Sequence, residues 1–287
     1  MEARRVSAVH TVPIIEESVV DFWESIPRDW PHLKYDQALA DDLDKLLKAY
    51  AREDGNPIVR LLDCGCGTGN PSIGLKKLGY DLFCVDADPG MVARFKQNCA
   101  EAGVSMPVIT YDWRDMNGDL EKEGLFDAAI CRGNSLIYAG CWERSSLIPT
   151  AAAKAVRTSL QHISATLRPG GLFYVDVTSR AEYGDMTRKL EYIGVRNTPE
   201  HDIVIYWTNE YDIPNKTRRV HARRLFESVE GNELARVHTH TFTGYMLMHD
   251  ELKTLAEAAG LELVQEYVPV KSELFYDIFI FRKPDKA

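Results

Sequence analysis

Glycines and acids at the ends of successive apolar runs are the residues most suited to chemistry here. Asp63 is followed at alternate positions by Gly65, Gly67 and Gly69 in Leu61-Leu62-Asp63-Cys64-Gly65-Cys66-Gly67-Thr68-Gly69. An apolar run that empties into such a turn lets backbone approach a ligand, because glycine has no Cβ and tolerates positive φ. Asp86 ends the next apolar run, where a carboxylate can accept from both hydroxyls of a ribose. Asp112 and Trp113 end a third: the acid can accept from an exocyclic adenine amine, and the indole offers a flat face. These residues predict a nucleotide-type ligand. A dinucleotide fingerprint needs G-x-G-x-x-G, and here the third glycine falls one residue early; no Gly-Lys-Ser/Thr follows, which excludes a P-loop.

The elements that must position these residues alternate. Leu39, Leu43, Leu46 and Leu47 recur at helical spacing and predict an amphipathic helix from Tyr35 to Tyr50. Strands follow at 58–63, 81–86, 107–111, 126–131 and 172–177, separated by helices at 70–78, from Asp88-Pro89, and over 146–167. Asn70-Pro71 reads as a cap with proline at the first helical position. This alternation means an α/β sheet with helices on both faces. After residue 178 the rhythm changes: 203–211, 218–229 and 233–245 read as an antiparallel meander. A helix at 249–259 and strands at 261–268 and 273–282 complete the chain. The expected organisation is an arm and helix over 1–57 covering the site, a core formed by 58–177 and 248–287, and an antiparallel β insertion over 178–247 for substrate.

The totals narrow the function classes. A formal charge of −9 argues against nonspecific attraction to nucleic acid or an anionic membrane. No apolar run approaches the ~20 residues that span a bilayer, and the first residues carry no signal-peptide core, so a cytoplasmic protein is expected. Cys64 and Cys66 lie between glycines with no second pair at zinc spacing, so they read as small reduced residues in a tight turn. His238-x-His240 would share one strand face, but further metal ligands are not evident and no metal is expected. His249, opening a helix, reads as a cap or surface residue.

Taken together, Leu62-Asp63-Cys-Gly65-Cys-Gly67-Thr-Gly69, Val85-Asp86-Ala87-Asp88-Pro-Gly-Met91 and Asp112-Trp113-Arg114 resemble the core, ribose and adenine motifs of class I S-adenosylmethionine-dependent methyltransferases. Ala129-Ile-Cys131-Arg132-Gly133-Asn134-Ser135 is similar to the Cys-Leu-Gly-Asn-Ser element of the glycine N-methyltransferase and glycine/sarcosine methyltransferase group. The resemblance covers residues 20–180 well and the rest in layout. It implies a Rossmann-like α/β fold: a mostly parallel seven-stranded sheet with its last strand antiparallel, helices on both faces, and an antiparallel β insertion.

It also implies roles. Gly65 and Gly67 would approach the methionine part of S-adenosylmethionine and Asp86 would hold its ribose. Met91 would pack near the adenine, with Asp112 and Trp113 on its rim. Cys131 would offer its backbone carbonyl to the cofactor's amino group; Asp63 and Ala87 belong to the same set. Trp23, Arg28 and Tyr35 lie in the arm that covers the site in this family. Asn134 would sit at the transfer centre, with Tyr211 and Arg180 as further catalytic candidates. Arg132, Tyr138, Arg180, Tyr206 and Tyr245 would bind substrate. Two departures stand out. Arg132 replaces the family's usual leucine, and Asp176-Val-Thr178-Ser-Arg180 stands where the family has Asp-x-Arg-Asn-Tyr, whose arginine binds the substrate carboxylate. The expected reaction is methyl transfer to the amine nitrogen of a small amino-acid-like molecule. Transfer to an oxygen or carbon of a larger secondary metabolite is the alternative, followed by a cofactor-binding module without catalysis. The expected partner is the small-molecule methyl acceptor, and self-association into a homo-oligomer is left open.

Overall fold

The computed structural model describes residues 14–16, 37–50, 55–113, 120–140, 148–179, 188–197, 201–212, 214–228, 234–266 and 276–285. A three-residue strand β1 (Ile14–Glu16) precedes helix α1 (Gln37–Ala49). Strand and helix then alternate through β2 (Arg60–Cys64), α2 (Ser72–Lys77), β3 (Asp81–Asp86), α3 (Pro89–Ala102), β4 (Val108–Thr110), β5 (Phe126–Cys131), α4 (Pro149–Thr166) and β6 (Leu167–Thr178). Four long strands follow: β7 (Arg188–Asn197), β8 (His201–Asp212), β9 (Thr217–Ser228) and β10 (Leu234–Tyr245). Helix α5 (His249–Ala258) and strands β11 (Glu262–Glu266) and β12 (Tyr276–Arg282) close the order.

The first sheet runs β11-β12-β6-β5-β2-β3-β4. Its neighbours are parallel except that β12 is antiparallel to both β6 and β11. This is the mostly parallel seven-stranded sheet, last strand reversed, that the sequence predicts. Strand order reverses between β2 and β5, and such a switch point leaves a crevice beyond the carboxyl ends of the strands. Alternation along β2 explains why both faces are covered. Leu61 belongs to a core shared with Leu39, Leu43 and Leu47 of α1, Ile73 of α2 and Phe95 of α3. Leu62 and Cys64 belong to the opposite core, with Val156, Leu160 and Ile163 of α4 and Leu252 of α5. The leucine spacing read as helical is the buried face of α1.

The second sheet has five strands, β1-β10-β9-β8-β7, and departs from the three-stranded meander expected. β7 escapes notice because charges interrupt its apolar residues and its register shifts between Tyr192 and Gly194. β1 is too short to show a period, and pairs parallel to β10 with Ile15 opposite His238. Two local expectations also change. α2 starts at Ser72, with Pro71 at its N-cap and no side-chain cap, so Asn70 does not cap it. β6 begins at Leu167 rather than Leu172, because Leu167 already pairs with Phe126 and Arg168–Gly171 bulges out before Leu172 pairs with Ala128.

Asp127 ties the lower ends of three strands together. It is 3% exposed, and its carboxylate accepts from the Val59 and Arg60 amides at 3.0 and 2.8 Å and from the Arg168 guanidinium at 2.9 Å. Asp127→Ala leaves three donors without their shared acceptor and lowers unfolding free energy by about 3 kcal/mol, read as a shifted urea midpoint with unchanged slope.

Candidate cofactor and transfer site

Every central strand of the first sheet delivers a polar group to the crevice. At the end of β2, Asp63 is 1% exposed and accepts from the Ser72 hydroxyl. Burial pushes its carboxyl up to about 7, against the opposing pull of the Ser72 hydrogen bond and the Arg132 charge. The chain then turns through the glycines, its Gly65 and Cys66 amides donating to the Val85 carbonyl at 2.8 and 3.0 Å. A Cβ on Gly65 would lie 2.7 Å from the Trp113 ring, and one on Gly69 would lie 2.8 Å from Ile73. Those two glycines permit close packing. Gly67 differs: it has φ +52°, and a Cβ there would meet nothing within 4 Å. Its missing side chain faces open space.

Asp86 at the end of β3 pins this loop. One carboxylate oxygen accepts from the Gly67 amide at 2.8 Å, the other from the Asp88 amide at 2.9 Å. Burial raises its carboxyl to about 6, opposed by these two hydrogen bonds. Asp88 caps α3 by accepting from the Met91 amide at 2.7 Å, and Met91 is 8% exposed. Beyond β4, Asp112 is partly buried and Trp113 is 8% exposed, its ring laid against Gly65. The Trp113 carbonyl accepts from His162 Nδ1 at 2.9 Å, which fixes the end of this loop to α4.

After β5 the chain makes its sharpest functional turn. Asn134 sits at φ +55°, the left-handed region that asparagine tolerates better than most residues. Asp176 of β6, fully buried, holds the turn by accepting from the Gly133 amide at 3.0 Å and the Asn134 amide at 2.6 Å. The Asn134 side-chain amide donates to the Thr178 hydroxyl at 2.9 Å, and the Ser135 hydroxyl donates to the Arg132 carbonyl at 2.5 Å. Register places Arg132 level with Gly65 across the switch point, since Asp63 pairs with Ile130 two residues earlier. Cys131 is wholly buried. The five described cysteines are free and buried, and burial holds the thiols of Cys64, Cys66 and Cys131 well above the ordinary range.

The first sheet therefore brings together Asp63, Gly65, Gly67, Asp86, Ala87, Met91, Asp112, Trp113, Cys131, Arg132, Asn134 and Tyr138. Tyr206, Tyr211 and Tyr245 lie on the second sheet. Tyr211 packs with Met246. Tyr245 is 1% exposed, and burial beside the Glu251 carboxylate holds its phenol far above the usual tyrosine range. Trp23, Arg28, Tyr35 and Arg180 lie outside the described residues. On β10, His238 is partly buried and His240 buried; among the described residues no cluster of three ligating side chains could hold a metal ion, and no helix is long and apolar enough to cross a membrane. Sequence reasoning missed Ser72, Asp176 and His249. Asp176 had a signal, an acid inside the apolar Leu172–Val177 run. His249 is not the surface or capping residue expected: it is 1% exposed, and Met248 occupies the cap.

A parallel sheet switching between β2 and β5, with a glycine turn pinned to an acid on the next strand, defines the class I methyltransferase fold. Residues 61–171 match the methyltransferase domain family. A glycine/sarcosine N-methyltransferase of Parasynechococcus marenigrum is 34% identical over 116 residues, covering 37% of this chain and 40% of that protein. The chain thus aligns with about two fifths of that curated relative's length. A methyltransferase structure from Clostridium acetobutylicum superposes with TM-score 0.65 at 13% identity, covering 92% of this chain and 97% of that one. A sugar N-methyltransferase from Streptoalloteichus sp. superposes with TM-score 0.63 at 18% identity, covering 99% and 98%. These two likenesses establish the fold.

The residues present fit S-adenosylmethionine. The open space at Gly67 would admit its chain, Asp86 would hold its ribose, and the buried Met91 and Trp113 would supply an apolar wall. Gly67→Ala is expected to weaken cofactor binding more than tenfold by calorimetry while costing about 1 kcal/mol of stability, the strain of a Cβ at positive φ. The raised Asp63 carboxyl makes a separate forecast. A carboxyl whose folded pKa exceeds its unfolded value stabilises most below the unfolded value, and that contribution is lost as pH rises through the folded one. Stability therefore falls between about pH 4 and 7 on account of Asp63. Asp63→Asn flattens this fall, as urea midpoints at pH 5 and pH 8 will show.

Proposed function

We propose that this protein transfers the methyl group of S-adenosylmethionine to the amine nitrogen of a small amino-acid-like molecule. The observation that carries the reading is the Gly133-Asn134-Ser135 turn, held by Asp176 beside the glycine loop at the switch point. The Asn134 amide nitrogen is committed to Thr178, which leaves its side-chain oxygen to accept an amine N–H and turn the lone pair toward the methyl group. When bound, the cofactor supplies an activated methyl: the S–C bond breaks with its electron pair going to sulfur as the amine lone pair forms the N–C bond. The protein's task is alignment and exclusion of water. The amine enters uncharged, and the proton it sheds after transfer passes to water, so no strong side-chain base is needed. The relative from P. marenigrum is named for transfer to glycine and sarcosine nitrogen, which supports a nitrogen acceptor.

One observation favours a second reading. Thr178 stands where the resembling family carries its carboxylate-binding arginine, and its uncharged hydroxyl accepts from the Asn134 side-chain amide. An acceptor without a carboxylate, including an oxygen or carbon nucleophile on a larger molecule, suits that replacement. A labelled-methyl screen over glycine, sarcosine, dimethylglycine, other amines and cell extract, with product masses, separates the readings. Methylated amines uphold the first, and labelled products carrying no N-methyl group replace it with the second. With the acceptor found, Asn134→Ala is expected to cut turnover about 100-fold, the scale of losing one aligned polar group, with cofactor affinity within about twofold. Near-wild-type turnover would remove Asn134 from the transfer centre.

A further inference from the structure

His249 is a buried titratable side chain that the site description leaves without a role. It opens α5 directly after the second sheet, and its Nε2 lies 3.2 Å from the Thr178 carbonyl and 3.5 Å from the Asp277 carboxylate of β12. A carbonyl only accepts, so Nε2 carries the proton. The ring is held at a tilt against Phe279, centroids 5.3 Å apart. Thr178 in turn closes β6, and its hydroxyl receives the Asn134 side-chain amide at 2.9 Å. One residue therefore takes hydrogen bonds from both sides: its hydroxyl from Asn134, its carbonyl from His249. The chain leaves the first sheet after Thr178 and returns to it at His249, so the same bond ties the two ends of the inserted sheet together.

We propose that His249 is a positioning residue for methyl transfer, setting the Asn134 side chain through Thr178 and locking the base of the inserted sheet to it. This rests on the reading of Asn134 as the transfer centre. The physical case is one of tolerance. Asn134 is aimed by a single side-chain hydrogen bond to a strand end, and a reacting group displaced by about 1 Å can lose some 100-fold in rate. Thr178 is the last residue of its strand, paired with Tyr276 of β12, and the donated Nε2–H adds a side-chain restraint on its carbonyl. Asp277, facing the same proton, orients the ring as carboxylates orient functional histidines elsewhere.

The test has a part that needs no acceptor. In 15N-labelled protein saturated with S-adenosylhomocysteine, the Asn134 side-chain amide pair is assigned by its loss in Asn134→Asp. His249→Phe, which keeps the ring shape and removes the donor, is expected to shift or broaden that pair while the Gly67 amide stays in place. His249→Gln, which restores an N–H donor, returns it. An Asn134 pair unmoved in a folded His249→Phe protein overturns the proposal. Should that variant fail to fold, the ring 15N spectrum of the wild-type protein decides: a His249 without a proton on Nε2 is equally fatal. Once an acceptor is known, His249→Phe is expected to lower kcat about tenfold with the cofactor KM within about twofold, and His249→Gln to recover most of the loss. Absence of any acceptor counts against the proposed function and leaves the spectroscopic result standing on its own.

Discussion

The carboxylate of Asp86 is the constraint on which the cofactor crevice depends. Each of its oxygens takes a backbone amide from a different turn, Gly67 after β2 and Asp88 after β3. Charge-assisted bonds of this kind contribute about 1.5–3 kcal/mol each, enough to hold a glycine turn that would otherwise sample many conformations. Burial works against the arrangement by favouring the neutral acid, and the two amides offset it. The residue that would meet a ribose thus also builds the loop that would meet the methionine chain, so one side chain sets both ends of a single ligand.

Asp176 repeats the device one layer further along the sheet. It too collects two backbone amides, here the successive ones of Gly133 and Asn134, and it too is buried. The two carboxylates flank the switch point, one fixing the turns after β2 and β3 and the other the turn after β5. Between them Gly65 and Trp113 are packed so closely that no side chain larger than hydrogen fits. Gly67, by contrast, has nothing within 4 Å of where a Cβ would stand.

Much of this was readable in the residues. Glycine spacing with Asp86 and Asp112-Trp113 pointed to the ligand class, and the leucines at 39, 43, 46 and 47 to the helix that backs it. What escaped shares a physical cause. Asp176 and His249 act through hydrogen bonds to residues more than forty and seventy positions away, and no local period encodes such a partner. His249 reads as a capping residue because it follows an extended stretch and opens a helix, yet the end of β6 packs over it. The strand β7 hid for the opposite reason: its charges belong to a sheet edge, where alternation need not be clean. Trp113 was expected to offer its face to an adenine; in the structure its ring lies against Gly65 of the glycine turn.

The meeting of Thr178 with His249 has a bearing on how such a molecule can change. The ends of residues 179–248 are already joined by a hydrogen bond within the core, so the intervening chain forms a closed loop whatever its length. Doubling a loop costs only about 0.6 kcal/mol in closure entropy. Strands could therefore be added, lost or exchanged in that stretch with little penalty to the cofactor domain. The inserted stretch is in this sense detachable, free to drift while the sheet beneath it stays put.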